Sequence, residues 1–485
     1  MHHRLRFFLT LACLSATPAS AHAQISASEF AARRDALATA IGDGVLIAFG
    51  GRTPVTDFGP FYQLPAFHYL TNFDEPDAAF VMVVHGGRST STLYLMPVDP
   101  RVAFYYGRRP DSSSVARTMG VAARSFSALA AYTDSLAAAD TPVYTLTDFG
   151  DADFAAQDSL TRGAMFMRSL VARYPGLTVK DAHPLVNELR AKKSAAEIAL
   201  LVRAAEISSA GHMAVLQMPQ PQHEYEIQSA LEGTFLRLGG ARPAYGSIVG
   251  SGRNGTQLHY MRDRDPARPG DIVVIDAATE YQGYTADITR SIPVSGKYTP
   301  DQRIIYQLVR DAQAAAERNS KSGMLAAAAQ DSAVAVRTSG LARLGLIQSA
   351  EATFDPPWRV NCTANPAACR QANLWMIHGI SHGLGLAVHD PTQFYTGERR
   401  FREGDAFTIE PGIYISTASL DVLPDTPKNR AFVSHVKAAV ERYNNIGVRI
   451  EDDYVITPSG LERMSTAPRE IAEIEAIMAK RSTHK

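Results

Sequence analysis

The sequence predicts a two-domain chain that mixes helices with strands: an α/β domain over residues 26–188 and an α+β domain over 195–485. Three observations predict it. The 485 residues are 46% hydrophobic and 20% charged, enough apolar material for more than one core. Strand-like and helix-like runs occur on both sides of residue 190. The character of the chain changes at Leu189-Arg190-Ala191-Lys192-Lys193-Ser194, where Ser194-Ala195-Ala196-Glu197 has the S-x-x-E spacing of a helix-capping box.

Residues 1–23 read as a signal peptide. A basic start through Arg6 precedes the apolar run 7–14 (FFLTLACL), and Ala19-Ser20-Ala21 and Ala21-His22-Ala23 offer small-x-small cleavage sites. The run is too short to span a bilayer. The expected protein is therefore exported, periplasmic or secreted. Its removal leaves 46 basic against 49 acidic side chains and only Cys362 and Cys369. An even pair in an oxidising compartment is expected to form a local disulfide, since no CxxC or flanking His cluster supports a metal pair.

In the first domain, residues 79–84 (AFVMVV) and 93–96 (LYLM) read as strands around the turn-rich Gly86-Gly87-Arg88-Ser89, and 127–139 as a helix. In the second, Ile198, Leu201, Val202, Ala205 and Ile207 follow helical spacing from Glu197 to about 216, and another helix is expected over 224–238. Residues 271–276 (DIVVID) form a compact β-branched strand after Arg268-Pro269-Gly270. Helices are expected over 300–316 and 324–344, a loop over 354–372, strands again from Trp375, and a terminal helix over 471–478. With 48 Lys+Arg against 49 Asp+Glu and no long basic run, no general footprint for nucleic acid is present. No segment after the first 23 residues approaches 18 uninterrupted apolar residues, so no membrane span is expected.

Acidic and imidazole residues stand at the ends of strand-like runs in the second half. Asp276 ends DIVVID, and Asp287 follows eleven residues later, past the turn-like Gln282-Gly283, which would set the two carboxylates facing one another. His382, Glu410 and Glu451 each lie in or beside an apolar stretch. Singly these are ordinary residues: a turn Asp, a solvent-facing Glu, a hydrogen-bonded His. Together, four converging carboxylates would repel one another and suffer desolvation, which divalent cations relieve. Asp, Asp, His, Glu and Glu suit Mn²⁺, Co²⁺, Fe²⁺ or Zn²⁺, and bridging carboxylates could hold two ions about 3.5–4 Å apart with an acidified water between them.

Residues 378–390 (HGISHGLGLAVHD) resemble the signature of the aminopeptidase P and prolidase family of pita-bread metallopeptidases, with D-x(10)-D upstream and two glutamates downstream in the family's order. The likeness is close over 247–460, through IVGSGRNGTQLHY and DITR, and looser in the first half through FHYLTNFDEPD. It implies a creatinase-like α/β domain followed by a pita-bread domain. It further implies Asp276, Asp287, His382, Glu410 and Glu451 as ligands of two divalent ions, manganese first and zinc, cobalt or iron as alternatives. Glu410 would shuttle protons, His389 would steady the tetrahedral intermediate or the scissile carbonyl, His378 and His259 would line the proline side, and Arg449 would contact substrate or orient Glu451. The implied reaction is hydrolysis of an N-terminal Xaa-Pro bond by a homo-oligomer acting on proline-containing peptides. A proline dipeptidase is the nearest alternative, and a metal-free binding module a second. Two departures stand out: Ala277-Ala278 where relatives commonly carry glycine in second place, and forty residues between Glu410 and Glu451, with 416–444 expected as a surface excursion near the site mouth.

Overall fold

Gly44–Phe49 is buried along its length, and its side chains divide by parity: Val45, Ile47 and Phe49 enter one apolar cluster, Leu46 and Ala48 another. A strand buried on both faces requires cover on both. It lies inside a six-stranded sheet ordered Ala122–Ser125, Arg88–Leu95, Ala79–His85, Gly44–Phe49, Val143–Thr145, Val179–Asp181, in which Ala79–His85 runs antiparallel to both its neighbours and the other three pairings are parallel. Leu129–Ala137 and Arg162–Arg173 cover one face through Leu129, Met167 and Leu170. Ala27–Ile41, Pro65–Thr71 and His183–Ala191 cover the other through Leu37, Leu70 and Val186. This is a computed structural model, and it describes residues 24–54, 59–97, 99–137, 141–146, 162–390 and 399–481. The expected signal peptide lies outside the described residues.

The capping box read from the sequence forms at Ser194 and Glu197. Ser194 Oγ accepts the Glu197 N–H, and Glu197 Oε2 accepts the Ser194 N–H, at the start of Ala195–Gln217. That helix is the one described helix long and apolar enough to cross a membrane by composition, but it is a core helix here: Leu200, Leu201, Ala204 and Ala205 are buried in a cluster shared with the first domain. Ile272–Asp276 pairs antiparallel with Thr289–Pro293 and with Ile248–Ser251. Ala406–Ile409 pairs with Asp452–Thr457, and Gly412–Ile415 with Ile446–Arg449. Single bridges from Thr289 to Glu451 and from Gly383 to Phe407 join these short sheets. Ile275, Val448 and Ile450 enter the core with helix residues Leu231, Ile305, Val309 and Phe432. Side chains alternate along extended backbone, so Asp276, Arg449 and Glu451, each next to one of those residues, point the other way.

Two sequence expectations fail. Strands do not resume at Trp375: Gln371–Trp375 is a 3₁₀ turn, and the next described strand is Ala406–Ile409. Trp375 is apolar because it is buried, its indole N–H donating to Leu346 O at 2.8 Å, so burial mimicked a strand signal. Nor is 416–444 a surface excursion. Pro427 opens the helix Pro427–Arg442, capped by Thr426, and Phe432, Val436 and Val440 lie fully buried at i, i+4, i+8. Pro427, one of the prolines that suggested a loop, is the first residue of the helix, and Pro424 stands in the short connection before its N-cap Thr426. The 354–372 segment does hold the expected staple, a Cys362–Cys369 disulfide with Cα atoms 5.7 Å apart.

A buried ion cluster ties the linker to the second domain. Arg190 Nη2 and Lys193 Nζ donate to the two carboxylate oxygens of Asp390 at 2.5 and 2.9 Å, with all three side chains about 1% exposed. Burial alone would raise the Asp390 carboxyl, but the two cations hold it below the usual range. Removing one member of a buried cluster leaves charge uncompensated. Asp390→Ala is expected to destabilise the protein by about 3–5 kcal/mol in denaturant unfolding, whereas Arg173→Ala, which breaks an exposed pair with Asp134, should change it by less than about 1 kcal/mol.

Candidate metal centre

Four carboxylates and two imidazoles converge where the short sheets meet. Asp276 ends its strand, and Asp287 stands two residues before Thr289, which pairs with Asp276. Glu451 follows Arg449 and is hydrogen-bonded through its backbone to Thr289. Glu410 follows Ala406–Ile409, and its N–H donates to Ile380 O at 2.8 Å, which sets it beside the segment carrying His382. Ligand-type atoms of Asp276, Asp287 and Glu451, of His382, Glu410 and Glu451, and of Asp287, His382 and His389 form three overlapping groups, each within 4.8 Å.

The polar contacts require a cation or added protons. The Tyr245 hydroxyl has one proton, yet it lies 2.6 Å from Asp276 Oδ1 and 2.5 Å from Asp287 Oδ1. His382 Nδ1 sits 3.0 Å from Gly383 O, an acceptor only, which places the ring proton there. Nε2 then turns its lone pair toward Asp287 at 3.4 Å, Glu410 at 3.6 Å and Glu451 at 3.8 Å. Glu451 Oε1 is buried without a hydrogen-bond partner among the described residues. Burial, then the neighbouring carboxylates, push the Asp287 and Glu451 carboxyls far above the usual range. For Glu410 burial acts in the same direction, but His378, His382 and Arg449 outweigh it and hold the carboxyl at about 2. An oxygen-rich donor set with one deprotonated imidazole nitrogen suits divalent transition ions.

Around these groups runs a second layer. Arg449 is 4% exposed; it bonds Asp276 Oδ2 through Nη2, donates to the Tyr414 hydroxyl at 2.7 Å, and donates to Thr289 Oγ1 at 3.1 Å. Thr289 Oγ1 in turn donates to Glu451 Oε2 at 2.7 Å. Its guanidinium thereby contacts Asp276 directly and Glu451 through Thr289. Tyr414 bridges Arg449 to His378 Nε2 at 2.8 Å, and His378 Nδ1 lies 2.7 Å from Gly379 O and 3.4 Å from Glu410 Oε2. The ring of His389 lies 4.2 Å from that of His382. His259 is exposed and makes no side-chain hydrogen bond among the described residues; it follows Leu258, whose carbonyl is 3.5 Å from Arg449 Nη2. Sequence reasoning missed Tyr245, Tyr414, Thr289 and Asp453, whose carboxylate accepts the Asp287 N–H at 3.1 Å. Thr289 and Asp453 stand beside recognised positions; nothing near Tyr245 in the chain marks it.

The model of metallopeptidase family M24 matches residues 199–458, and that of the aminopeptidase P N-terminal domain matches 30–144. The chain belongs to metallopeptidase family M24. It is 32% identical over 474 residues to the Xaa-Pro aminopeptidase of Escherichia coli K12, covering 94% of this chain and 98% of the relative, and 33% identical over 423 residues to that of Haemophilus influenzae, covering 86% and 89%. The solved structure of E. coli aminopeptidase P with the inhibitor Pro-Leu matches with a TM-score of 0.76 and 31% identity, over 94% of this chain and 99% of that one. The M24 assignment fixes the second domain as the pita-bread fold and its chemistry as metal-dependent hydrolysis. For this M24 protein, stripping with a chelator is expected to lower the unfolding midpoint, and adding back a divalent transition ion to restore it. At one hundred times Kd a single ion contributes about 2.7 kcal/mol, and Asp287→Ala should lose most of that ion-dependent rise in calorimetry.

Proposed function

We propose that this protein is a metal-dependent Xaa-Pro aminopeptidase, releasing the N-terminal residue from peptides with proline in second place. The observation that carries it is the convergence of Asp276, Asp287, His382, Glu410 and Glu451 around space that their own hydrogen bonds leave uncompensated, in a chain similar to named Xaa-Pro aminopeptidases over nearly its full length. Those five residues would hold two divalent ions, manganese foremost, and such ions supply Lewis acidity toward the carbonyl and lower the pKa of a water.

The chain's own residues do the rest. Arg449 donates to Tyr414, and Tyr414 to His378 Nε2, so the His378 proton rests on Nδ1, toward Gly379 O and Glu410 Oε2. That relay keeps Glu410 ionised and oriented to accept a proton from water and hand one to the departing imino nitrogen. His389, beside His382, donates to the carbonyl oxygen as negative charge grows there, and His259 and His378 border the proline ring. The Xaa-Pro bond lacks an N–H and has a fixed proline φ, so a site that supplies its own proton to the leaving nitrogen fits it.

Two further parts of the reading concern where and how the protein works. The basic and apolar residues 1–23 and the Cys362–Cys369 disulfide support an exported protein. Phe104, Tyr105 and Tyr106 are 92%, 82% and 66% exposed on a helix, Pro100–Tyr106, that buries no residue. Three adjacent exposed aromatics support self-association through the first domain.

Liquid chromatography of digests of an Ala-Pro dipeptide, an Ala-Pro-Ala tripeptide and longer Ala-Pro peptides tests the function. Alanine release from the tripeptide and longer peptides is expected; cleavage of the dipeptide alone would instead assign a proline dipeptidase. Glu410→Gln should lower kcat by about 10²–10⁴-fold while elemental analysis still finds bound metal, and wild-type protein unable to retain metal would favour a binding module.

A further inference from the structure

We infer that a polar groove beside the metal centre binds the downstream part of the peptide and favours an acidic tail; this rests on the Xaa-Pro aminopeptidase reading. The groove has a volume of about 600 Å³ and is walled by three segments that each run into the site. Thr256 and Gln257 lead to Leu258 and His259. Ser416 lies two residues beyond Tyr414, whose hydroxyl joins His378 to Arg449. Asn445 precedes the strand Ile446–Arg449 that ends in Arg449. Two residues of chain span at most about 7 Å, so the wall begins within about two substrate residues of the proline that His259 would border.

The walls are closely joined. A side chain at Gly447 would strike the backbone of Gly255, so the 252–256 turn lies directly on the Ile446–Arg449 strand. The Thr417 N–H donates to Asn444 Oδ1 at 3.0 Å, closing the opposite side. The lining is hydroxyl and amide, suited to the backbone of an extended peptide, with three charged groups: Arg253, Arg262 and Asp265. Asp265 Oδ2 is 3.7 Å from Arg253 Nη2 and accepts from Asn254 Nδ2 at 3.0 Å, so it offsets Arg253. Arg262 has no ion pair among the described residues. One net positive charge therefore faces the groove, where a C-terminal carboxylate or an Asp or Glu side chain three or four places after the scissile bond would come to lie.

The test compares kcat/KM on Ala-Pro-Ala-Ala-Glu and Ala-Pro-Ala-Ala-Lys, both C-terminally amidated, with Ala-Pro-Ala as control, for the wild type, the double variant Arg253→Ala/Arg262→Ala and Arg262→Glu. The wild type should prefer the Glu tail by about three- to ten-fold, in line with one or two exposed ion pairs, and the preference should shrink in 0.5 M salt. The double variant should lose it and Arg262→Glu invert it, with turnover of Ala-Pro-Ala unchanged. Equal rates on both tails by a wild type that cleaves Ala-Pro-Ala, or a preference that survives in the double variant, overturns the groove assignment alone. Failure of the wild type to cleave Ala-Pro-Ala overturns the Xaa-Pro reading, and the groove's role as a substrate site with it.

Discussion

Four carboxylates confined within a few ångströms, away from water, are the constraint around which this protein is built. Two unit charges 4 Å apart interact by about 4 kcal/mol at an effective dielectric near 20, and Asp276, Asp287, Glu410 and Glu451 make several such pairs. Among the described residues, Arg449 is the one guanidinium or ammonium bonded directly to the set; it contributes a single charge and spends it on Asp276. The protein has only two ways to resolve the remainder: protonate Asp287 and Glu451, the direction in which burial and their neighbours drive them, or bind cations. Protonation would neutralise the carboxylates by taking up protons against their ordinary acidity, whereas divalent ions suit an oxygen-rich set with one imidazole nitrogen in both charge and donor type. The arrangement is costly without metal and close to balanced with it.

That constraint explains the sheet architecture. Ligands on one strand would lie on the same face only at alternate residues, with too little room to surround an ion, so they come from separate segments: Asp276, Glu410 and Glu451 from beside strand ends, Asp287 from the chain before Thr289, and His382 from the chain before Gly383. Thr289 shows how closely the ends are held. Its backbone pairs with Asp276 on one side and Glu451 on the other, while its hydroxyl accepts from Arg449 and donates to Glu451. A single β-branched residue thereby sets the distance between two ligands and the orientation of both. The alternation that sends Ile275, Val448 and Ile450 toward the helices sends Asp276, Arg449 and Glu451 inward.

The sequence carried much of this because ligands at strand ends are preceded by short apolar runs, and DIVVID before Asp276 and FTI before Glu410 are visible in a linear reading. Helices with caps were equally legible, as Ser194 and Glu197 show. What could not be read was contact over long separations. Tyr245 reaches Asp287 across 42 residues, and Arg190 reaches Asp390 across 200; no local pattern encodes either. The stripe Phe432, Val436, Val440 was present in the sequence but hidden behind Pro424 and Pro427, whose turn-forming reputation outweighed a regular helical period. Trp375 failed for the opposite reason, since an apolar run reports burial before it reports geometry.

The linker cluster links the two domains to the chemistry. Asp390 follows His389 directly, its N–H donates to Gly383 O, and one of its carboxylate oxygens accepts the Ala387 N–H at 3.3 Å, so it closes the loop that carries both His382 and His389. A side chain on Gly385 would fall 2.7 Å from the Asp390 carboxylate, which is why this loop admits only glycine there. The two cations that neutralise Asp390 come from the linker, and the linker is anchored in turn by the apolar cluster that Leu37, Leu70 and Val186 share with Leu200 and Leu201. The first domain is thus more than a neighbour of the second: its attachment supplies the charges that allow Asp390 to be buried, and a buried Asp390 is what holds the two imidazoles 4.2 Å apart, facing the carboxylates.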